Sequence, residues 1–226
     1  MRPFIHVNCA MSADGKLAGP DRKQVRISSE EDKLRVKNLR RKYDAILVGV
    51  GTVLSDDPHL TIKGASYDEN PVRIILDDKG RTPDDAQVVD DRAPTVIVTD
   101  DQCTKEWPGV GIIRRRKDEG LNDILSILAD EGIESILVEG GGETIATFFK
   151  AKAVDRYTVF VGGLIIGGRT SPTPVDGDGW VFDEGQKMDL KSVEMLGNGA
   201  LLTYAPRPGC FTCSPRIFQE IPRDCP

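Results

Sequence analysis

The sequence predicts an α/β protein, with a central, mostly parallel sheet flanked by helices on both faces. Three observations carry this. Short apolar runs recur at 45–50, 72–76, 95–99 and 135–139, bounded by Gly, Pro or Asp. Runs without polar alternation mark strands buried on both faces. Segments with helical spacing lie between them, such as apolar residues at 121, 124, 125 and 128, and strands alternating with helices predict a parallel sheet.

The elements follow in order. Residues 4–11 open the chain as a strand, and 12–16 form a polar exit containing the Asp14-Gly15 turn signal. Ser28 precedes Glu31 by three positions, a capping-box spacing. Glu30, Glu31 and Asp32 stand at the head of this segment and Arg40, Arg41 and Lys42 at its foot. That charge order complements the helix dipole and predicts a helix over 29–43, with Leu34, Val36 and Leu39 facing inward. The strand at 45–50 ends in Gly49-Val50-Gly51; 52–55 reads as a short helical turn, stopped by Asp56-Asp57-Pro58. Strands follow at 72–76, with Asp77 at the end, and at 95–99. A helix is predicted at 121–130, a strand at 135–139, a helix at 143–153, a strand at 156–161, and one or two strands within 191–204. No internal repeat is visible. From Pro206 the pattern stops, and prolines alternate with Cys210, Cys213 and Cys225. The expected organisation is a domain at 1–205 and a tail at 206–226 outside the core.

A chain of 226 residues suits one large domain with a substantial core. Its net charge of −6 disfavours nucleic acid as a partner, although basic residues cluster over 33–42. No apolar run nears the roughly 20 residues that span a bilayer, and the first eleven residues lack a signal-peptide core. Five scattered cysteines argue against a disulfide framework. A soluble, cytoplasmic protein is expected.

Four polar clusters fall at strand exits: 12–16, 49–52, 77–81 and 139–142. Ligands of open α/β sheets sit there, so four such clusters imply an extended, charged ligand. In the last cluster the strand delivers Glu139 and then Gly140, Gly141 and Gly142 ahead of a helix. Residues without side chains let backbone N–H groups approach a ligand, and the helix turns its positive end toward it. This is a seat for a pyrophosphate.

The strings Met11-Ser-Ala-Asp-Gly-Lys16, Gly49-Val-Gly-Thr-Val-Leu-Ser-Asp-Asp-Pro58 with Leu60-Thr61, and Asn70-Pro-Val-Arg73 with Asp77 and Arg81 stand in order along the chain, followed by Val138, Glu139 and the glycines. Together they resemble the riboflavin-biosynthesis reductases, which share the dihydrofolate-reductase-like fold. The resemblance runs from about residue 3 to 204. It implies NADPH-dependent reduction of a phosphoribosylamino-pyrimidine to its ribitylamino form, with NADH tolerated as an alternative cofactor. It implies cofactor contacts at Thr52, Asp56, Lys79, Gly80, Arg81, Thr82, Gly140, Gly141, Gly142, Glu143 and Thr144. Arg81, then Lys79, suits a 2′-phosphate. Glu143 would repel a pyrophosphate if it pointed inward. Substrate contacts are implied at Asn8, Gln24, Arg40, Leu60, Lys63 and Glu139. Arg40 and Lys63 are the candidates for the 5′-phosphate. Asn8 offers an amide donor and acceptor to the pyrimidine edge. The catalytic proton donor is left open among Glu139, Asp14, Lys16 and water. His59 is a minor candidate.

No metal is expected. Cys210-x-x-Cys213 with Cys225 lacks a fourth ligand and a nearby histidine. The zinc deaminase signature is absent, and the chain starts at the reductase's first strand. That favours the archaeal and fungal order, with 2,5-diamino-6-ribosylaminopyrimidinone 5′-phosphate as substrate. The alternatives are the deaminated substrate and a non-catalytic nucleotide-binding module. Relatives of this kind are homodimers, so a homodimer is expected.

Overall fold

The computed structural model describes residues 1–23, 25–181 and 184–207. Its centre is one nine-stranded sheet in the order β5-β4-β3-β2-β6-β1-β7-β9-β8. The strands are β1 (Phe4–Ser12), β2 (Ala45–Gly49), β3 (Val72–Leu76), β4 (Thr95–Asp100), β5 (Gly111–Arg115), β6 (Ser135–Val138), β7 (Arg156–Gly162), β8 (Met188–Leu196) and β9 (Gly199–Pro206). The first seven in spatial order pair in parallel, and the β8–β9 hairpin adds antiparallel to β7. The helices are α1 (Glu30–Arg40), α2 (Val50–Asp56), α3 (Leu121–Asp130) and α4 (Gly142–Lys150).

Both faces of the sheet are covered. Ile5, Val7, Leu47, Ile136 and Val138 pack with Ile124 and Leu128 of α3 and Ile145 and Phe148 of α4. Ile46, Val48, Ile75 and Leu137 face the other way, toward Val53 of α2 and Leu39 of α1. The period of two explains the split: neighbours along one strand enter opposite cores. Each fully buried aliphatic side chain contributes about 1.5–3 kcal/mol.

Several boundaries differ from expectation. Ser29, not Ser28, caps α1: its Oγ accepts from Asp32 N at 3.1 Å. Ser28 Oγ instead donates to Asp32 Oδ2 at 2.6 Å. The helix ends at Arg40 rather than at residue 43. Leu34 points to solvent and is 60% exposed, against the expectation that it faces inward. The inward position belongs to Asp32, which is buried, because α1 lies over the polar side chain of Asn8 on β1, to which Arg35 donates. Helix α4 begins at Gly142 and stops at Lys150, short of residue 153. Strand β5 has no counterpart in the sequence reading, because only Ile112 and Ile113 are apolar beside Arg114 and Arg115. Strand β9 runs through Pro206, one residue past the expected domain edge. Positions 208–226, with the expected tail, Cys210, Cys213 and Cys225, lie outside the described residues, as does Gln24.

Arg73 of the Asn70-Pro-Val-Arg73 motif is wholly buried on β3. Its Nε donates to Thr95 Oγ1, Nη1 to Gln87 O and Asp90 Oδ1, and Nη2 to Asp90 O and Ala93 O, all within 2.9 Å. All five guanidinium donors are therefore satisfied by the segment that leads into β4. The motif holds the fold at this point.

Candidate active site

A groove of about 1560 Å³ crosses the carboxyl ends of the strands. Its lining runs from Asn8 on β1 to Arg115 on β5. Five strand spacings separate these, about 24 Å at about 4.8 Å each, a span that accommodates two linked nucleotides.

The middle of the groove is built by α4 and α2. Gly141 precedes α4 and supplies no side-chain cap, so the first N–H groups of the helix lack intrahelical partners and face the groove. Added side chains would show which glycines serve this opening. Among the described residues, a Cβ on Gly51 meets nothing within 4 Å, and one on Gly141 meets only Thr52 Oγ1 at 4.0 Å. Both positions keep ligand space open. Gly49, Gly140 and Gly142 answer to packing instead: side chains there would strike Thr144, or Thr173 O and Asp176 for Gly142. The seat therefore fits a pyrophosphate. Glu143 is exposed at the rim and leans toward Gly177, 3.6 Å from where its Cβ would be.

At the near end, Val7 of β1 pairs with Val138 of β6, so Asn8, within β1, lies beside Glu139, the first residue past β6. Glu139 is clamped from α1. Arg40 donates through Nε at 3.2 and 3.1 Å and through Nη2 at 2.6 Å. Asn8 Oδ1 accepts from Arg35 Nη2 and from Thr158 Oγ1, each at 2.8 Å. Its acceptor is thus occupied, and its amide NH₂ is the group left for the groove. Arg35 is held in turn by buried Asp32 at 2.9 Å. The sequence gives Asp32 only a part in the helix's charge order and Arg35 no role, because α1 is charged all round. Their i, i+3 spacing and shared face with Leu39 were the available signal. Cys9 also lines this end, and burial pushes its thiol up to about 12.

The structure brings together Asn8, Thr52, Asp56, Lys79, Arg81, Glu139, Gly140, Gly141, Gly142, Glu143 and Thr144 in the groove wall. Arg40 reaches it through Glu139. The other expected residues sit elsewhere. Thr82 is buried, and its N and Oγ1 both donate to Asp77 Oδ2 at 2.7 Å; it shapes the 77–82 turn. Gly80 (φ +65°) lets that turn bend, and a side chain there would press on Cys103 and Lys105. Leu60 is buried against α2's core at φ +50°, a strained conformation for a bulky residue. Lys63 is exposed outside the lining. His59 pairs with Arg92 at the surface. Lys16 lines a smaller neighbouring groove of about 420 Å³, with its Nζ 3.5 Å from Ser171 O. Asp14 accepts from Ser12 Oγ, Ile166 N and Gly167 N, and these bonds hold its carboxyl down at about 2. A group so firmly ionised does not supply a proton near neutral pH.

The family model for the RibD C-terminal domain matches residues 3–202. The 2,5-diamino-6-ribosylamino-4(3H)-pyrimidinone 5′-phosphate reductase of Archaeoglobus fulgidus is 36% identical over 218 residues. The protein of the same name from Methanothermobacter thermautotrophicus is 37% identical over 217 residues. Each alignment covers 90% of this chain and 98% of the relative. Among solved structures, a bifunctional deaminase/5-amino-6-(5-phosphoribosylamino)uracil reductase from Thermotoga maritima superposes with a TM-score of 0.78 at 29% identity, covering 91% of this chain and 57% of that one. A riboflavin biosynthesis reductase from Saccharomyces cerevisiae shares the fold, with a TM-score of 0.72 at 23% identity over 91% of this chain and 90% of its own.

Proposed function

The chain belongs to the RibD C-terminal domain family, and from that premise we propose how its groove carries out the family's reduction. It is a reductase of riboflavin biosynthesis that acts on a phosphorylated ribosylaminopyrimidinone. The observation that carries this is the identity of 36–37% with two archaeal reductases along 98% of their length. The same observation favours the 2,5-diamino substrate over its deaminated counterpart.

The cofactor we assign is NADPH. Its pyrophosphate would rest on the N–H groups at the head of α4 and on Gly51 and Gly141, with Thr52 and Asp56 beside it. Lys79 and Arg81 stand toward the adenosine end. When bound, the nicotinamide supplies the hydride that reduces C1′ of the ring-opened sugar. The chain supplies placement. Asn8, fixed by Arg35 and Thr158, donates its amide to an acceptor on the pyrimidine edge. Glu139, fixed by Arg40, accepts from the sugar hydroxyls or the developing amine. The proton for the nitrogen comes from Lys16 across the adjoining groove or from water, since both Glu139 oxygens accept from Arg40. A homodimer is also part of the proposal, supported by the exposed apolar residues of β8.

Turnover of both pyrimidines with NADPH and NADH tests this reading. Faster turnover of the 2,5-diamino compound with NADPH is expected, and preference for the deaminated compound would reverse the substrate assignment. Glu139→Gln is expected to fold, to bind NADPH, and to lose about tenfold or more in kcat/KM, since one charged hydrogen bond in a dry site is worth about 2–4 kcal/mol. Loss of melting temperature and NADPH affinity, with saturating turnover unchanged, would instead make Glu139 a support for the glycine loop.

A further inference from the structure

The far end of the groove has its own chemistry. Its floor is apolar, formed by Leu76, Val98, Leu121 and Ile124, and its rim carries Asp78, Lys79, Arg81 and Arg115. An apolar floor accepts a purine, and the rim meets the attached ribose. We infer that Arg115, at the carboxyl end of β5, is the residue that distinguishes a 2′-phosphorylated dinucleotide from an unphosphorylated one, and that Asp78 is the partner it releases to do so. This rests on reading the groove as a dinucleotide site.

The three cations of the rim are not equivalent. Lys79 and Arg81 stand on the turn after β3, and the Arg81 side chain is 57% exposed, with its Nε only 4.0 Å from Asp77 Oδ1. Arg115 belongs to a strand and its side chain is 25% exposed. Its Nη1 donates to Glu119 O at 3.0 Å, which holds the guanidinium plane in place. Its Nη2 reaches Asp78 Oδ1 at 3.3 Å. A guanidinium already held loses little rotamer freedom on gripping an anion.

Asp78 is a weak holder. Its side chain is 63% exposed and, among the described residues, makes one long contact, with Arg115. Exposed pairs of this kind contribute little. A phosphate dianion offers Arg115 more charge and more acceptor oxygens than that single carboxylate oxygen. Asp78 can turn to solvent when the phosphate arrives. With an unphosphorylated dinucleotide the Asp78–Arg115 pair stays closed, and Arg115 contributes nothing to binding.

The test is the dissociation constants of NADPH and NADH for the full chain, its Arg115→Ala, Arg115→Lys and Asp78→Asn variants, and Arg81→Ala as a comparison. Arg115→Ala is expected to weaken NADPH about tenfold or more and to move NADH by less than about twofold, since only the charged bonds to the phosphate are lost. Arg115→Lys keeps the charge without the fork and recovers part of that loss. Asp78→Asn raises the preference for NADPH. NADH is the internal control, because a merely structural role for Arg115 would weaken both dinucleotides together. Equal losses for both, or a preference abolished by Arg81→Ala and untouched by Arg115→Ala, would overturn the inference. A wild-type chain that binds NADPH and NADH equally would do the same. A wild-type chain that binds neither overturns the dinucleotide reading of the groove as well, which separates the two failures.

Discussion

His6 stands 2% exposed on β1, its Nδ1 2.5 Å from the Tyr43 hydroxyl and its Nε2 2.8 Å from Thr158 Oγ1. Thr158 in turn donates to Asn8, so the imidazole belongs to the polar chain that sets the groove's near end. Burial, then the charges of Arg156 and Arg35, lower its pKa from 6.5 to about 3. The folded state therefore keeps His6 neutral where the unfolded chain takes up a proton. Between pH 6.5 and 3 the unfolded state binds more protons, so stability falls as pH falls. Below pH 4 the low pKa values of Asp14 and Asp90, both about 2, act in the same direction. Melting temperature is expected to hold between about pH 7 and 8, to decline steadily from 6.5 downward, and to decline again above about pH 9, where the unfolded chain releases the Cys9 proton that the folded state keeps. His6→Gln should flatten the part of that decline between 6.5 and 4. An unchanged slope in the variant would mean that another group titrates there.

At the scale of elements, polar side chains hold the places that apolar stripes usually hold. Helix α1 turns Asp32 and Arg35 inward, because what it covers is the polar end of β1. Strand β3 buries Arg73, whose five bonds gather the Gln87–Val89 turn, Asp90 and Ala93 against β4. Replacing one partner of such a set leaves buried carbonyls without donors, at about 3–5 kcal/mol. Arg73→Leu is expected to lower unfolding free energy by that amount in urea titrations, because the apolar side chain fills the space and satisfies no carbonyl. Arg73→Lys should fall between the two, with fewer donors in the wrong geometry. A loss below about 1 kcal/mol in Arg73→Leu would show that these carbonyls find other donors.

The whole molecule ends at one side in the β8–β9 hairpin. There Leu190, Val193 and Met195 are 52, 57 and 82% exposed on an edge strand. An edge strand presents unpaired backbone groups, and an exposed apolar row beside them marks a contact surface. A two-fold pairing through β8 would cover both at once. Light scattering is expected to give twice the chain mass for the wild type and the chain mass for a Val193→Lys, Met195→Glu double variant. A wild type that runs as a monomer would set the dimer aside.

Legible in the sequence alone are the α/β class, most of the strands, α3 to the residue, and the four polar exits, of which those at 49–52, 77–81 and 139–142 meet in the groove. These depend on local chemistry: apolar runs, glycines and charge order are read one segment at a time. The family resemblance rests on the same residues, which is why Asn8, Thr52, Arg81, Glu139 and the glycines are legible from the sequence. Which of them line the groove depends on the tertiary structure. Thr82 turns in to Asp77, Leu60 enters a core, Asp14 is bound to the loop at Ile166 and Gly167, and Arg40 is matched to Glu139 across 99 positions of sequence. It also exposed Leu34, set Asp32 and Arg35 behind Asn8, and supplied β5, whose two isoleucines are too few to announce a strand. Each of these depends on what an element packs against, and the sheet order β5-β4-β3-β2-β6-β1 that brings those partners together is a property of the assembled sheet rather than of any segment.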